Sequence, residues 1–296
     1  MKPHVLVVCK RSLLELLGGE DGDASFQAMV DEHEVVRERH ERAHTENEAT
    51  IAAVREALET TGCTYEVQER PIQKVKGSDS FDLVVSVGGD GTFLSTAHSV
   101  EDIPIIGVNS STTFSVGRYC GANIETFGDV LAGIISGEQQ PSRVYRLQVK
   151  INDEVVVPPV LNEVLFAHKM PAGTSRYILT VGDRSERQKS SGIWIATATG
   201  STAAIRSAGG SPMPAGMQEL QYLIREPYPQ PGVEVRLRRG IHSETIRIEN
   251  RMQDGFLFVD GPRAEVLVPW GAVVEFVPGS YPLDIYWGGE DEFQSH

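Results

Sequence analysis

The chain has 296 residues, a formal net charge of -14 and a hydrophobic fraction of 40%. This length suits one large domain or two ordinary ones, and the composition is that of a folded globular protein rather than a disordered one. Because an acidic surface repels phosphate backbones and anionic lipids, nucleic acid and membrane surfaces are excluded as favoured partners, whereas a local pocket can still bind a small anion.

The cysteines and the hydropathy pattern indicate the compartment. Cys9, Cys63 and Cys120 are odd in number and lack metal-binding spacing, so a reducing compartment is favoured over an oxidising one. No stretch approaches the roughly 18 apolar residues of a membrane span. We therefore expect a soluble cytoplasmic protein.

Strand and helix patterns alternate in the first half of the chain. The strand patterns cover residues 4–9, 65–67, 82–87 and 103–108, and the helical patterns cover 47–60 and 124–136. Gly62 is predicted to end the first helix. Alternation of this kind predicts a parallel sheet covered on both faces, a Rossmann-like α/β domain over residues 1–142. We expect the tail, residues 281–296, to pack back on this domain.

Short β-rich runs separated by Gly, Pro, Asn and Asp follow from about residue 143. They cover residues 146–151, 177–181, 192–197, 234–237, 245–248, 256–259 and 273–277. Helical patterns cover only residues 203–207 and 217–225. The second half therefore predicts an antiparallel β-sandwich domain over residues 143–280.

Three histidines lie in the charge-rich segment 19–44. His33, His40 and His44 are spaced seven and four apart, so on a helix they could share one face and hold a metal ion. Neither a cysteine nor a dedicated carboxylate pattern accompanies them. We interpret the segment as a solvated helix.

The most informative stretch is a buried strand that ends in the run Gly88 to Thr92, before helical sequence begins at about Phe93. Glycines let backbone N–H groups approach a ligand closely, and a helix N-terminus favours phosphate. A carboxylate repels phosphates, so Asp90 needs a reason to be there, and acceptance of a proton from a nucleophilic hydroxyl is one. The alternative is a glycine-rich turn in which Asp90 caps the helix.

Two common phosphate-binding motifs are missing from the sequence. It contains neither a Walker-type Gly-Lys-Ser/Thr nor a Gly-x-Gly-x-x-Gly after a strand. Neither a P-loop enzyme nor a Rossmann dehydrogenase is therefore supported.

A second constellation lies in the β-rich half. Asn162 and Glu163 follow an apolar run, and a strand leads into Thr199 to Thr202 and then into a short helix. Small hydroxyls and a glycine at a helix start suit polar or phosphate ligands, and an amide beside a carboxylate can bind ribose hydroxyls. The alternative is a capping motif followed by a β-turn.

These stretches together resemble the NAD kinase family. The family pattern appears in order as Gly88 to Thr92, Gly107 to Asn109, Asn162-Glu163 and Thr199 to Ala203. The details are most similar to the plant-type NADH kinase branch, through residues 189–192, 200–204, 207–210 and 220–227.

The resemblance implies an α/β domain and a β-sandwich whose crevice holds the nucleotide, assembled as a homodimer or homotetramer. It implies ATP as phosphate donor, with Mg²⁺ bridging its phosphates, and NAD or NADH as acceptor. Asp90 would be the general base on the adenosine-ribose 2′-hydroxyl, Glu163 would bind the dinucleotide with Asn162, and Lys189 would meet the diphosphate. The candidate site residues are Gly88, Gly89, Asp90, Gly91, Thr92, Asn109, Asn162, Glu163, Lys189, Ser191, Thr199, Gly200, Ser201, Thr202, Ala204 and Ser207.

The chain departs from the family pattern at three places. Ser191 stands where most members have Asp, and its neutral hydroxyl removes a charge that would favour oxidised nicotinamide, so we expect NADH to be accepted at least comparably with NAD. Ala204 stands where most members have Tyr, which removes about 1–3 kcal/mol of stacking on a base. Residues 110–117 also depart from the usual glycine-rich continuation.

Two other functional classes remain as alternatives. A lipid kinase shares the Gly-Gly-Asp-Gly-Thr turn, although the Asn162-Glu163 pair and the acidic composition argue against it. A non-catalytic dinucleotide sensor would keep the pocket, but it has no use for Asp90 among phosphates. The donor also stays open between ATP and polyphosphate.

Overall fold

The computed structural model describes residues 2–17, 23–76, 81–228, 235–261 and 263–287. It divides into a first unit, Met1–Ser142 with Asp284–Gly288, and a second unit, Arg143–Leu283 with Gly289–His296. Residues 18–22 of the charged segment and residues 288–296 of the expected tail lie outside the described residues. No helix among the described residues is both long enough and apolar enough to cross a membrane.

The first unit is an α/β fold. Its elements are β1 (His4–Cys9), α1 (Leu13–Leu17), α2 (Ala24–Glu32), α3 (Glu34–Thr61), β2 (Thr64–Glu69), β3 (Leu83–Gly88), α4 (Asp90–Ser99), β4 (Ile105–Asn109), β5 (Cys120–Asn123) and α5 (Phe127–Ser136). The strands pair in parallel in the order β2-β1-β3-β4-β5. Ile285 and Tyr286 also pair in parallel with the start of β4.

Helices cover this sheet on both faces. One face of β1 and β3 packs against Ile51, Val54 and Leu58 of α3 and Leu131 of α5, while α4 packs against β3. Every residue of β3 is buried as a result, which is why the strand is a continuous apolar run. Full burial of side chains of this size contributes about 1.5–3 kcal/mol each.

The second unit is a β-sandwich, as predicted. Its elements are β6 (Ser142–Ile151), β7 (Glu154–Val155), β8 (Glu163–His168), β9 (Ser175–Val181), β10 (Arg184–Ser190), β11 (Gly192–Ala196), a 3₁₀ turn (Thr199–Thr202), α6 (Ala204–Ser207), β12 (Leu220–Arg225), β13 (Arg239–His242), β14 (Ile246–Asn250), β15 (Gly255–Val259), β16 (Ala264–Val268) and β17 (Val273–Tyr286). The last residues of β17, from Asp284, belong to the first unit.

Two sheets form the sandwich. Strands β10, β9, β14 and β17 pair in that order with β6 and β7 beyond them, and the second sheet runs β13-β12-β11-β8-β15-β16, antiparallel throughout. Side chains of both sheets share one core, which includes Leu179 and Phe276 from the first sheet and Phe166, Ile193 and Leu257 from the second. This is the usual way for two sheets to bury their inner faces.

Several predicted elements have different bounds. The helix predicted over 47–60 is the second half of α3, and Gly62 ends it in the left-handed conformation with φ 73. The predicted helix over 124–136 begins only at Phe127, because the Asn123 carboxamide accepts hydrogen bonds from the N–H groups of Glu125 and Thr126.

Two predictions in the second unit are wrong. The helix predicted over 217–225 is the strand β12, whose first five residues are all buried; a short apolar run of this kind fits a buried strand as well as a helix. The strand predicted over 234–237 is absent from the described residues 235–237, and the edge strand is instead β13, in which His242 pairs with Leu220.

Candidate active site

The Gly-Gly-Asp-Gly-Thr turn joins β3 to α4 in the first unit. It lies at the carboxyl end of a parallel strand, where ligands bind in open α/β sheets. A methyl group on Gly88 would overlap the side chain of Thr92, and one on Gly89 would overlap the Ser115 hydroxyl. A side chain at Gly88 would therefore displace Thr92, and one at Gly89 would force the Ser115 hydroxyl to move.

Asp90 does not cap α4. Gly89 occupies the N-cap position, and α4 has no side-chain cap hydrogen bond, so the alternative of Asp90 as the helix cap is wrong. The half-buried carboxylate instead accepts a hydrogen bond from the Tyr119 N–H, with Oδ1 2.9 Å from the nitrogen. This bond fixes the orientation of an acid at the edge of the sheet.

Tyr119 is anchored by aromatic stacking. Its ring lies parallel to that of Phe93, with centroids 5.1 Å apart, and it stacks on Trp287 at 6.2 Å. Both Phe93 and Tyr119 are buried. The N–H group that orients Asp90 is therefore part of a rigid cluster.

A thiol lies close to the same turn. Cys120 Sγ is 3.7 Å from the Gly88 carbonyl oxygen. Burial, and then the negative charge of Asp90, raise the pKa of the Cys120 thiol to about 12. Cys120 therefore stays protonated at neutral pH and does not serve as a nucleophile.

Asn109 ends β4 beside this turn, but its polar atoms are already used. Its Nδ2 donates to the Ser115 carbonyl at 3.0 Å and its Oδ1 accepts from the Ser111 N–H at 3.2 Å. These bonds hold the loop over residues 110–117, so Asn109 stabilises the conformation of that loop.

In the second unit, Glu163 begins β8 with its carboxylate buried. The residue is 4% exposed, and its Oε2 has no hydrogen-bond partner among the described residues. Burial, and then the negative charge of Asp260, raise the pKa of Glu163 to about 8, although a hydrogen bond from the Ala204 N–H opposes this rise. An unpartnered buried carboxylate oxygen is costly, and such an atom points to a ligand that donates to it.

The turn Thr199–Thr202 packs directly on the backbone of Asn162. The Thr199 hydroxyl donates to the Leu161 carbonyl at 2.6 Å, and a methyl group on Gly200 would overlap the Asn162 carbonyl group. The Ser201 hydroxyl donates to the Ala198 carbonyl at 2.6 Å. Thr199 and Ser201 are candidate site residues from the sequence. Their hydroxyls thus donate to backbone carbonyl groups.

The remaining residues of this set lie at or near the surface. Thr202 is half-buried, and Ala204 and Ser207 of α6 are exposed. The structure therefore brings Asn162, Glu163 and the residues 199–204 together.

Lys189 and Ser191 lie apart from this group. Ala196 pairs with Glu163, whereas Ser191 precedes Ala196 by five residues, about 17 Å along an extended strand. The Lys189 amine lies over the Tyr228 ring, 5.7 Å from its centroid. Their assignment to the diphosphate and to the nicotinamide ring stays a prediction.

Asp260 is the functional candidate that sequence reasoning missed. It lies at the end of β15 and is 4% exposed. Its carboxylate accepts hydrogen bonds from three consecutive backbone N–H groups, those of residues 161–163. The only signal in the sequence is an Asp260-Gly261 pair, which is typical of an ordinary turn.

The three histidines do not form a metal site. His40 packs edge-to-face against Phe26, and the group of potential ligands within 4.8 Å of one another among the described residues is Glu15, His44 and Glu48. Glu15 is explained by a capping box with Ser12, since each residue's N–H donates to the other's side chain.

Comparison with known proteins gives consistent results. Residues 8–139 match the family model described as the ATP-NAD kinase N-terminal domain. A protein of Oryza sativa subsp. japonica named "Probable NADH kinase" is 34% identical over 218 residues, which covers 66% of this chain and 67% of the relative. The NADH kinase of Arabidopsis thaliana is 31% identical over 230 residues, covering 69% of this chain and 72% of the relative.

The fold is also similar to a solved structure. The NAD kinase of Archaeoglobus fulgidus, in a crystal structure with ATP, superposes with a TM-score of 0.68 at 19% identity, over 98% of this chain and 95% of that chain. At this identity the likeness shows a shared fold.

Gly200→Ala should destabilise the second unit. The added methyl group would collide with the Asn162 backbone, and overpacking of this kind costs about 1–3 kcal/mol. The melting temperature measures the loss. Gly216→Ala is the matched control, because its methyl group would meet nothing closer than 3.7 Å; equal melting temperatures in the two variants would contradict the predicted collision.

Proposed function

The chain belongs to the NAD kinase family, and we propose that it transfers the γ-phosphoryl group of ATP to the adenosine-ribose 2′-hydroxyl of NAD or NADH, giving NADP or NADPH. The observation that carries this proposal is the pair of carboxylates with distinct environments. Asp90 is half-buried and oriented by a backbone N–H, whereas Glu163 is buried with an unpartnered oxygen. The first suits proton transfer and the second suits substrate binding.

In this reaction Asp90 would act as the general base. The 2′-oxygen attacks the γ-phosphorus, the bond from that phosphorus to the bridging oxygen breaks, and ADP leaves. Asp90 takes the proton of the hydroxyl. Since Tyr119 occupies Oδ1 through its N–H, we assign proton acceptance to the other oxygen, Oδ2.

Glu163 would bind the dinucleotide with Asn162. Ribose hydroxyls are hydrogen-bond donors, and a buried carboxylate oxygen that lacks a partner gains most from such a donor. The presence of this second polar site supports a dinucleotide as acceptor over a lipid.

The relatives' names support both the donor and the reduced acceptor. ATP is present in the crystal structure of the Archaeoglobus fulgidus NAD kinase, and the plant relatives carry the name NADH kinase. We infer ATP as donor and acceptance of NADH as well as NAD. Polyphosphate as donor stays an alternative that an assay resolves.

Magnesium would accompany ATP. The one group of three potential metal ligands among the described residues is Glu15, His44 and Glu48, and Asp90 is not part of it. The ion would enter with ATP and would neutralise negative charge on its phosphates. The cytoplasmic location expected from the sequence stays a prediction.

We also infer a homodimer or homotetramer. On the outer face of the second sheet, Leu165 pairs with both Trp194 and Phe258, and Phe256 pairs with Leu267. These side chains are half-buried, apart from Leu267, which is 53% exposed. A largely apolar sheet face of this kind, which also carries the Lys169–Glu265 ion pair, favours burial against another copy.

Leu267→Glu should weaken the assembly, because it places a charge on this apolar face. Sedimentation velocity should show a dimer or tetramer for the unaltered protein and a smaller species for the variant. Leu13→Glu is the matched control, since Leu13 is 49% exposed in the first unit. A monomer in the unaltered protein would refute the inference.

Asp90→Asn should lose about 10²- to 10⁴-fold in kcat, because it removes the proton acceptor while keeping the shape of the side chain. Dinucleotide affinity should be kept or improved, since a charge that repels phosphate is gone. Both proteins are assayed with ATP or polyphosphate as donor and with NAD, NADH or diacylglycerol as acceptor. Full activity of Asp90→Asn would overturn the role of the base, and phosphorylation of diacylglycerol alone would overturn the proposed function.

At about pH 9, above the pKa of about 8 at which Glu163 ionises, Glu163→Gln should raise the KM for the dinucleotide about 10-fold or more and leave the KM for ATP nearly unchanged, because a charged acceptor for ribose is lost. Glutamine can still accept from the Ala204 N–H, and the pKa of Glu163 is raised by burial and by Asp260, so the neutral side chain should not lower the melting temperature. Glu154→Gln on β7 is the exposed control. A fall in melting temperature with equal rises in both KM values would assign Glu163 a structural role instead.

A further inference from the structure

Asp260 organises the backbone that carries the Asn162-Glu163 pair. Its Oδ1 accepts from the N–H groups of Asn162 at 2.9 Å and Glu163 at 3.0 Å, and its Oδ2 accepts from the Leu161 N–H at 3.2 Å. Its own N–H donates to the Glu163 carbonyl at 2.9 Å. Three consecutive amides are thus gathered on one carboxylate almost a hundred residues further along the chain.

The backbone of Asp260 is in the left-handed region, with φ 45. Glycine adopts this conformation most easily, and Asp adopts it more readily than most other residues. Asp260→Gly therefore removes the carboxylate without disfavouring the backbone conformation of the turn.

If Asp260 served only the stability of the fold, its position beside the buried acid Glu163 would be unfavourable. Asp260 is the ionisable group among the described residues whose charge raises the pKa of Glu163, in addition to burial. The other groups that face Glu163 are the uncharged Ala204 N–H and the surrounding backbone. Two buried acids side by side repel each other, and a fold that required only a tied-down turn could do without the second acid.

We propose that Asp260 is a positioning residue for the dinucleotide: it fixes the turn over residues 161–163 so that Asn162 and Glu163 face the substrate ribose. This rests on the proposed function, in which these two side chains bind NAD or NADH. Asp260 itself acts through the backbone it holds.

Asp260→Asn and Asp260→Gly test the proposal. Asparagine keeps one acceptor but turns an NH₂ group toward at least one donor, and glycine removes the carboxylate while tolerating the φ of this position. Both should raise the KM for the dinucleotide by at least about 10-fold, while kcat and the KM for ATP stay within about 2-fold. The dependence of dinucleotide KM on pH should also shift to a lower midpoint in Asp260→Asn, because the charge that raises the pKa of Glu163 has gone.

Asp153 offers a matched control. It has φ 71, also in the left-handed region, but it is exposed in the turn between β6 and β7. Asp153→Asn and Asp153→Gly should leave both KM values within about 2-fold. Unchanged dinucleotide KM in the Asp260 variants would overturn the proposal, and so would loss of folding in both of them, since Asp260 would then serve global stability.

Hydrogen exchange gives a readout that needs no activity. The amides of residues 161–163 should exchange about 10-fold or more faster in Asp260→Gly, while amides of the first unit stay unchanged. Slow exchange at these amides would overturn the positioning role even in an active enzyme. If the unaltered protein phosphorylates neither NAD nor NADH, the proposed function fails independently of this result.

Discussion

The structure depends on the burial of one carboxylate, that of Glu163, next to another. Such an arrangement persists only when its surroundings leave the chain no other conformation. Here the turn is held from two sides, by the amide bonds to Asp260 and by the threonine hydroxyls that donate to Leu161. The close packing of Gly200 leaves no room for the turn to relax. Glu163 Oε2, which has no hydrogen-bond partner among the described residues, is thereby held in place to accept a hydrogen bond from a ligand.

In the first unit, the environment of Asp90 differs from that of Glu163. Asp90 remains half-buried, and one backbone N–H on a stack of three aromatic rings orients it. The environment of Asp90 is therefore rigid but still accessible to water. We propose that these two environments suit two different tasks: proton transfer for the half-buried, oriented Asp90, and substrate recognition for the buried Glu163, whose Oε2 lacks a hydrogen-bond partner among the described residues.

The sequence predicted local turns better than contacts between residues far apart in the chain. The turn from Gly88 to Thr92 and the Asn162-Glu163 pair are contiguous motifs, so their local structure follows from adjacent residues. Asp260 could not be found in this way, because its partners are almost a hundred residues away and a turn Asp is common. The strand β12 was mistaken for a helix because its apolar run is too short to show a period.

The environment of Cys120 has a consequence for oxidative stress. At a pKa of about 12, only about one thiol in 10⁵ is ionised at pH 7. Peroxides attack the thiolate, so sulfenic acid forms slowly at this position. Burial, and then the negative charge of Asp90, thus protect the thiol from oxidation, and the turn can tolerate a cysteine next to Gly88 in a cell that generates oxidants.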